Sequence, residues 1–193
     1  RDYEKLAKGQ PNHLLVSRRA LKRTWKSNRA GKFKYNNENY AILGLVIDTV
    51  SGASYQNYCY SAVLQPYGIR SASLDPRYSG MAAWGGWQMN AADYLRVVLG
   101  NYGAAGRYGR APTRWPLVQL NGGAFYGMGT YVRQSGRSHN FWHFGRHCSS
   151  AGRAGAFFAS WSEERAVSVN YDICPKGNVG GNLDRSLANA ALQ

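Results

Sequence analysis

Apolar residues in the first half of this chain recur at helical spacing. After Asn37 they fall at three- and four-residue steps, which predicts an amphipathic helix that buries one apolar face. That face comprises Tyr40, Ile42, Leu43, Val46, Ile47 and Val50. The pair Ser51-Gly52 ends the pattern, because glycine readily adopts the left-handed conformation that closes a helix. A second helical stretch begins at Ser54 and continues to about Leu64.

Two further helices are predicted from the same signals. Asn90 is a suitable N-cap, Asp93 stands three positions later, and apolar residues follow at helical spacing. The stretch "GGNLDRSLANAAL", residues 180–192, predicts a capped closing helix. Residues 1–32 are polar and basic, and they predict loop with one short helix.

The pattern changes after Pro116 from helical spacing to aromatic and β-branched runs. Three segments have this strand character: "FYGMGTYVRQ", "NFWHFGRH" and "GAFFASWSEERAVSVNYDI". The stretches "QSGRS" and "SEE" are typical of turns between antiparallel strands. Helices followed by strands and a closing helix indicate an α+β fold. We expect one domain portion over residues 1–193, with helices and loops in 1–116 and with the strands and last helix in 117–193.

Composition places the chain among folded proteins. Of its 193 residues, 44% are apolar and 18% are charged, unlike a disordered chain. No apolar run approaches the roughly 20 residues of a membrane-spanning helix, so we expect no membrane span.

The net charge of +14 favours an anionic partner. The segment "SRRALKRTWK", residues 17–26, could bind nucleic acid through its basic side chains and Trp25, or it could be a solvated basic surface. No known nucleic-acid-binding motif accompanies it, so we do not favour nucleic acid as a partner.

The three cysteines match no zinc or redox spacing. Cys59 lies within a helical pattern and is expected to be a buried free thiol. Cys148 and Cys174 each flank a strand-like run, so neighbouring strands could bring them together. Whether they pair stays open from sequence alone, and a disulfide would indicate an oxidising compartment.

A Tyr-x-Asn element, Tyr35-Asn36-Asn37, directly precedes the first long helix. Three further segments follow it in order: "QPYGI" at 65–69, "AAWGGWQMNAADYLRVVLG" at 82–100, and "YGMGTYV" followed by "HFG" at 143–145. Together these segments resemble the serine β-lactamase and penicillin-binding-protein superfamily. They are most similar to its class C-like branch of esterases, D-aminopeptidases and amide hydrolases. The resemblance implies a β-lactamase-like α+β fold that is incomplete without an upstream segment.

The resemblance also implies roles for individual residues. Tyr35 matches the acid/base tyrosine, Asn37 the amide that binds the substrate, and His143 with Gly145 the third motif on a strand. The backbone N–H of Arg146 matches the strand's oxyanion donor. A phenol with an ordinary pKa of about 10 acts as a base only where positive charge stabilises the phenolate, and the family's lysine provides that charge.

Each of these residues also has a structural interpretation. Tyr35 could pack on the core at a helix start, and Asn37 could be a plain N-cap. His143 could be an ordinary strand histidine. Alternation places it on one strand face with His139 and His147, but Phe141 interrupts the row, so we expect no metal and no cofactor.

The glycine-rich loop between the helices has two interpretations of its own. Trp84, Gly85, Gly86 and Trp87 are candidates for the rim of the substrate cleft, or they pack beneath a loop.

The family's nucleophile motif, Ser-x-x-Lys, does not occur in the sequence, since no serine has a lysine three positions later. We therefore expect it upstream of residue 1. The chain could be part of a processed two-chain enzyme, a fragment, or a divergent protein that binds ligands without catalysis.

The function expected from the resemblance is the C-terminal part of a serine hydrolase. It would cleave a small ester or amide, including a β-lactam or D-amino-acid peptide, through an acyl-serine intermediate. An upstream N-terminal chain of the same enzyme is an expected partner, and a periplasmic or secreted location is expected. The alternatives are a catalytically inactive ligand-binding module and, less favoured, a nucleic-acid-binding protein.

Overall fold

A computed structural model of the chain describes residues 11–22, 31–109, 114–150, 152–161 and 165–191. The chain divides into two compact units, Arg1–Met89 and Asn90–Gln193. The predicted "SEE" turn and Trp25 lie outside the described residues. No helix among the described residues has both the length and the apolarity needed to cross a bilayer.

The first unit is mainly helical. Its elements are α1 (His13–Leu21), α2 (Glu38–Ser51), α3 (Tyr55–Cys59), β1 (Ser73–Leu74) and β2 (Trp87–Gln88). Residues 60–64 continue α3 as a π-helical turn and residues 65–67 as a 3₁₀ turn, so the predicted second helix is present but changes its winding. Strands β1 and β2 pair in antiparallel fashion.

Helix α2 has the predicted bounds but buries a different face. Gly52 closes it at φ +65°, as glycine there predicts. The buried positions include Ala41 and Gly44, whereas three residues of the predicted apolar face are at least half exposed. These are Leu43 (56%), Val46 (50%) and Val50 (81%). The expected buried stripe is therefore wrong in part. The reason is packing against α1: the His13 ring lies so close to Gly44 that a Cβ there would be 2.9 Å from it.

The second unit is a sheet with a helix on each face. Its elements are α4 (Ala91–Tyr102), β3 (Val118–Gln119), β4 (Phe125–Gly127), β5 (Thr130–Ser135), β6 (Ser138–Ser149), β7 (Gly152–Trp161), β8 (Arg165–Tyr171) and α5 (Val179–Ala191). The six strands follow sequence order and every neighbouring pair is antiparallel. The predicted strands and the "QSGRS" turn are thus present.

Strand alternation sorts the side chains of this sheet onto its two faces. Towards α4 the core contains Val98, Val132, Phe141 and Phe158, with Tyr94 and Tyr102 packed against it. Towards α5 it contains Phe157, Ala159 and Trp161, with Leu183 and Leu187 packed against it. Because both faces are covered, β7 is buried over its second half and gives β6 a fixed neighbour.

The caps of this unit follow the sequence signals. The Asn90 side chain accepts a hydrogen bond from the Asp93 backbone N–H at 2.7 Å. At α5 the Asn178 side chain accepts from the Gly181 backbone N–H at 3.2 Å. Both caps satisfy backbone donors that the first turn of a helix leaves unpaired.

Candidate active site

Strand β6 offers part of one edge for pairing. On its β5 side the ladder runs from Ser138 to Trp142, whereas on its β7 side it runs from Phe141 to Ser149. Within the described residues, the stretch 143–149 is therefore paired on one side only. This stretch contains His143, Gly145 and Arg146, the strand residues that the sequence predicts for the site.

Two side-chain hydrogen bonds define which way the β6 backbone groups point. The Trp142 carbonyl accepts from Thr130 Oγ1 on the β5 side at 3.0 Å. The Gly145 carbonyl accepts from the Tyr171 hydroxyl, which comes from β8 beyond β7, at 2.5 Å. Successive residues of a strand direct their N–H and C=O groups to opposite edges. It follows that the N–H of Arg146 points to the edge that has no strand beside it.

His143 lies directly opposite Phe158 of β7 and is half-buried among rings. The ring centroid of Tyr131 is 5.7 Å from that of His143, and the centroid of Tyr126 is 6.4 Å away. Burial lowers the pKa of His143 below its ordinary value of 6.5. The imidazole is consequently neutral at neutral pH and can both donate and accept a hydrogen bond.

The space above Gly145 is open. A Cβ built there would meet no atom of the described residues within 4 Å. Packing inside the unit therefore does not require glycine, whereas the close approach of a second backbone at this edge would favour it.

The Arg146 side chain turns away from this edge. Its Nη1 donates to the Pro175 carbonyl at 2.7 Å, beyond the end of β8. Cys148, two residues later, forms a disulfide with Cys174, and their Cα atoms are 5.8 Å apart. The pairing left open by the sequence is therefore present, but it crosses β7 rather than joining neighbouring strands.

Cys59 is a free thiol, as predicted, and it is half-buried rather than buried. Tyr55 shares a hydrogen bond with it, and burial raises the pKa of Cys59.

In the first unit, the two asparagines of the Tyr-x-Asn element have different surroundings. Asn36 Oδ1 accepts from the Glu38 backbone N–H at 3.0 Å, and Asn36 Nδ2 donates to Glu38 Oε2 at 2.9 Å. Asn37 occupies the N-cap position, but its side chain makes no capping hydrogen bond and is exposed. The plain N-cap interpretation therefore applies to Asn36 and not to Asn37.

Tyr35 is 44% exposed, so it is not the core aromatic of the structural interpretation. Its side chain lies at the surface of the first unit, just before the turn that starts α2. An exposed phenol at a helix start is accessible to a ligand.

Trp84, Gly85 and Gly86 have unequal roles in their loop. A Cβ at Gly86 would lie 2.6 Å from the Tyr78 carbonyl oxygen, so close packing explains that glycine. Gly85 is exposed with open space around it, and Trp84 is half-buried.

A cavity of about 430 Å³ in the first unit does not include those three residues. It is lined by Gln56, Asn57, Tyr60, Ala72 and Trp87.

The histidines of β6 share one strand parity, as alternation predicts. Among the described residues, no group of three or more His, Cys, Asp or Glu side chains is arranged to hold a metal ion.

Sequence reasoning missed Tyr171, whose hydroxyl binds the candidate motif at Gly145. The tyrosine follows a strand-like run, and nothing in that run indicates that its ring crosses a neighbouring strand. The position of the Tyr171 ring depends on a residue distant in sequence, Gly155, which lies opposite Tyr171 in β7.

Comparison with known proteins identifies the fold class. No family model matches the sequence, and no curated protein matches it. Solved structures match in fold, and they include penicillin-binding-protein homologues and D-amino acid amidase. The predicted α+β fold of the β-lactamase and penicillin-binding-protein type is thereby confirmed.

Three of these structures indicate the extent of the likeness. The penicillin binding protein from Bacillus halodurans matches with a TM-score of 0.58 and 16% identity, over 97% of this chain and 70% of that chain. The octameric penicillin-binding protein homologue from Pyrococcus abyssi matches with a TM-score of 0.59 and 20% identity, over 84% of this chain and 43% of that chain. D-amino acid amidase from Ochrobactrum anthropi SV3 matches with a TM-score of 0.63 and 14% identity, over 96% of this chain and 72% of that chain. The chain thus spans from under half to nearly three quarters of these proteins.

Proposed function

We propose that this chain is the C-terminal part of a serine hydrolase that cleaves a small ester or amide through an acyl-serine intermediate. The observation that carries the proposal is the one-sided stretch of β6, with the Arg146 N–H directed to its open edge. An acyl substrate can align there as an added strand, with its carbonyl oxygen close to an N–H donor. The open space above Gly145 leaves room for such a ligand.

Tyr35, Asn37 and His143 have, in this proposal, the roles that the resemblance implies. Tyr35 is the acid/base, because it is an accessible phenol in a Tyr-x-Asn element. Asn37 binds the substrate carbonyl, because its amide is exposed and makes no capping hydrogen bond. His143 binds the substrate through its neutral ring.

The nucleophile in this proposal is a Ser-x-x-Lys motif in a segment upstream of residue 1. The Cys148–Cys174 disulfide supports a periplasmic or secreted location, since structural disulfides persist in oxidising compartments.

A substrate panel tests the reaction class. The natural gene product that contains this sequence would be incubated with p-nitrophenyl acetate, D-phenylalanine amide and nitrocefin. The proposal predicts turnover of at least one of them, with a burst of the first product that equals the enzyme concentration when deacylation is slow. A folded protein that turns over none of them contradicts it.

The second candidate is a ligand-binding module without catalysis on the same fold. The absence of any serine with a lysine three positions later in this chain favours it. Saturable binding of the same compounds, with no covalent adduct in intact mass spectra of the natural gene product, distinguishes this candidate from the hydrolase.

A further inference from the structure

The far end of β6 lacks the support that the rest of the sheet has. Strand β8 pairs with β7 only from Gly155 onwards, opposite Tyr171. Residues 152–154 of β7 and their partners in β6 therefore form a two-stranded projection. A two-stranded ribbon is marginally stable by itself, and a projecting end frays. Cys148 belongs to this end, and Arg146, which lies opposite Gly155, stands at its base.

Residues 171–175, which we call the strap, run from the end of β8 across β7 to β6. Tyr171 begins the strap, and its ring lies over Gly155, where a Cβ would be 2.2 Å from the ring carbons. The ring also stacks on Phe144 of β6, with centroids 5.9 Å apart and planes 20° apart. The hydroxyl then donates to the Gly145 carbonyl at 2.5 Å.

Two further ties hold the other end of the strap. Cys174 is joined to Cys148 of β6 by the disulfide. Arg146 Nη1 donates to the Pro175 carbonyl at 2.7 Å. Consecutive β6 residues 144–146 and Cys148 are therefore all held by the strap.

The Tyr171 hydrogen bond affects the direction of the neighbouring Arg146 N–H. It engages the Gly145 carbonyl on the β7 side of β6. Because successive residues alternate their edges, a fixed Gly145 keeps the Arg146 N–H directed to the open edge. A rotation of the strand end would turn that donor away.

We propose that the strap positions the substrate-binding edge of β6, with Tyr171 as a positioning residue and the disulfide as its closure. This inference rests on the function proposed above. It predicts that opening the strap weakens substrate binding at Arg146 while the core of the sheet stays folded.

Hydrogen exchange and steady-state kinetics of the natural gene product test the proposal together. Tyr171→Phe removes only the hydroxyl, and Tyr94→Phe, a single-hydroxyl change in the same unit on α4, is the control. Loss of one hydrogen bond corresponds to about a 2- to 10-fold change. We expect Tyr171→Phe to speed exchange of the Gly145 and His147 amides, which face β7, and to raise KM by that factor. The kcat should change less than KM, and Tyr94→Phe should stay at wild-type values.

Two further changes act on the same element. Gly155→Ala displaces the Tyr171 ring and keeps every hydroxyl, so it should reproduce the Tyr171→Phe result. Mild reduction of the Cys148–Cys174 disulfide should speed exchange of the Gly145 and His147 amides before the far-ultraviolet circular dichroism changes.

The outcomes separate this proposal from the function on which it rests. Unchanged exchange of the Gly145 and His147 amides, both in Tyr171→Phe and after reduction, overturns the strap, whatever the activity. Faster exchange with unchanged KM overturns the positioning role of Tyr171, whose hydrogen bond would then only stabilise the strand end. If the wild-type protein hydrolyses no substrate, the proposed function fails, and exchange alone decides whether the strap fixes this edge.

Discussion

Two neighbouring asparagines before α2 differ in what their side chains contact. The Asn36 side chain is hydrogen-bonded to Glu38, whereas the Asn37 side chain is exposed and makes no cap. The Tyr-x-Asn element is recognisable in the sequence, but which of the two asparagines makes the capping hydrogen bond is not, because both residues are good caps. The division depends on the backbone turn that precedes Glu38.

Paired alanine variants test this division. Asn36→Ala should reduce the free energy of unfolding by about 1 kcal/mol, the usual cost of a lost cap. Asn37→Ala should leave stability within about 0.5 kcal/mol, as exposed substitutions usually do, and should reduce kcat/KM. Chemical denaturation and kinetics on both variants check the prediction, and an equal loss of stability would contradict it.

The backbone N–H of Arg146 can be tested apart from its side chain. Proline lacks an N–H, and it is tolerated in a strand where the missing donor faces an unpaired edge. Arg146→Pro should lower kcat by about 10²- to 10³-fold, the usual loss for one oxyanion donor. Arg146→Ala keeps the N–H and loses the same side-chain hydrogen bond to Pro175, so it is the matched control. Its kcat should stay within about 10-fold of wild type, the usual effect of one lost hydrogen bond. Equal losses in the two variants would refute the assignment.

His143 should produce an acid limb in the pH profile. Burial lowers its pKa below 6.5, so the neutral ring persists until the pH falls below that value. Activity should decline as the pH falls through the lowered pKa, and His143→Asn should remove this limb. Stability should also fall as the pH falls. Between the pKa of His143 in the folded protein and about 6.5, the unfolded chain binds more protons than the folded chain, so stability is lost as the pH falls through that window. An acid limb that persists in His143→Asn would show that another group titrates.

For the helices and strands, sequence signals that act within a few residues predicted the structure correctly. Gly52 ended α2, Asn90 capped α4, and the aromatic runs became β4 to β8. The buried face of α2 was predicted only in part, because periodicity shows which residues are apolar but not which other element packs against them. His13, 31 positions before Gly44 in the sequence, selects the small residues of that helix.

This packing yields a prediction whose sign opposes helix propensity. Alanine is better than glycine in a helix by about 1 kcal/mol, so propensity alone predicts that Gly44→Ala stabilises the protein. The new Cβ would lie 2.9 Å from the His13 ring and from the Ala83 Cβ. His13 cannot retreat easily, because it is buried and its Nδ1 is 2.8 Å from Asp48 Oδ2. We expect a net loss of about 1–3 kcal/mol, the usual cost of overpacking. A higher melting temperature for this variant would contradict the packing argument.

At the scale of the whole molecule, the α+β class and its β-lactamase-like character followed from the order of elements and motifs. The hydrogen bond from Tyr171 to Gly145 could not be predicted in this way, because 26 residues separate the two in sequence. The same separation joins Cys148 to Cys174, a pairing that the sequence left open. Contacts of this range depend on strand register, which no local pattern determines.

Covalent labelling of the nucleophile tests whether this chain belongs to an acyl-serine hydrolase. The natural gene product would be treated with a fluorophosphonate probe, followed by intact mass measurement and peptide mapping. We expect one probe per molecule, on a serine that has a lysine three positions later and lies outside these 193 residues. A folded protein that gains no probe mass, or that is labelled on a serine within this chain, would contradict it.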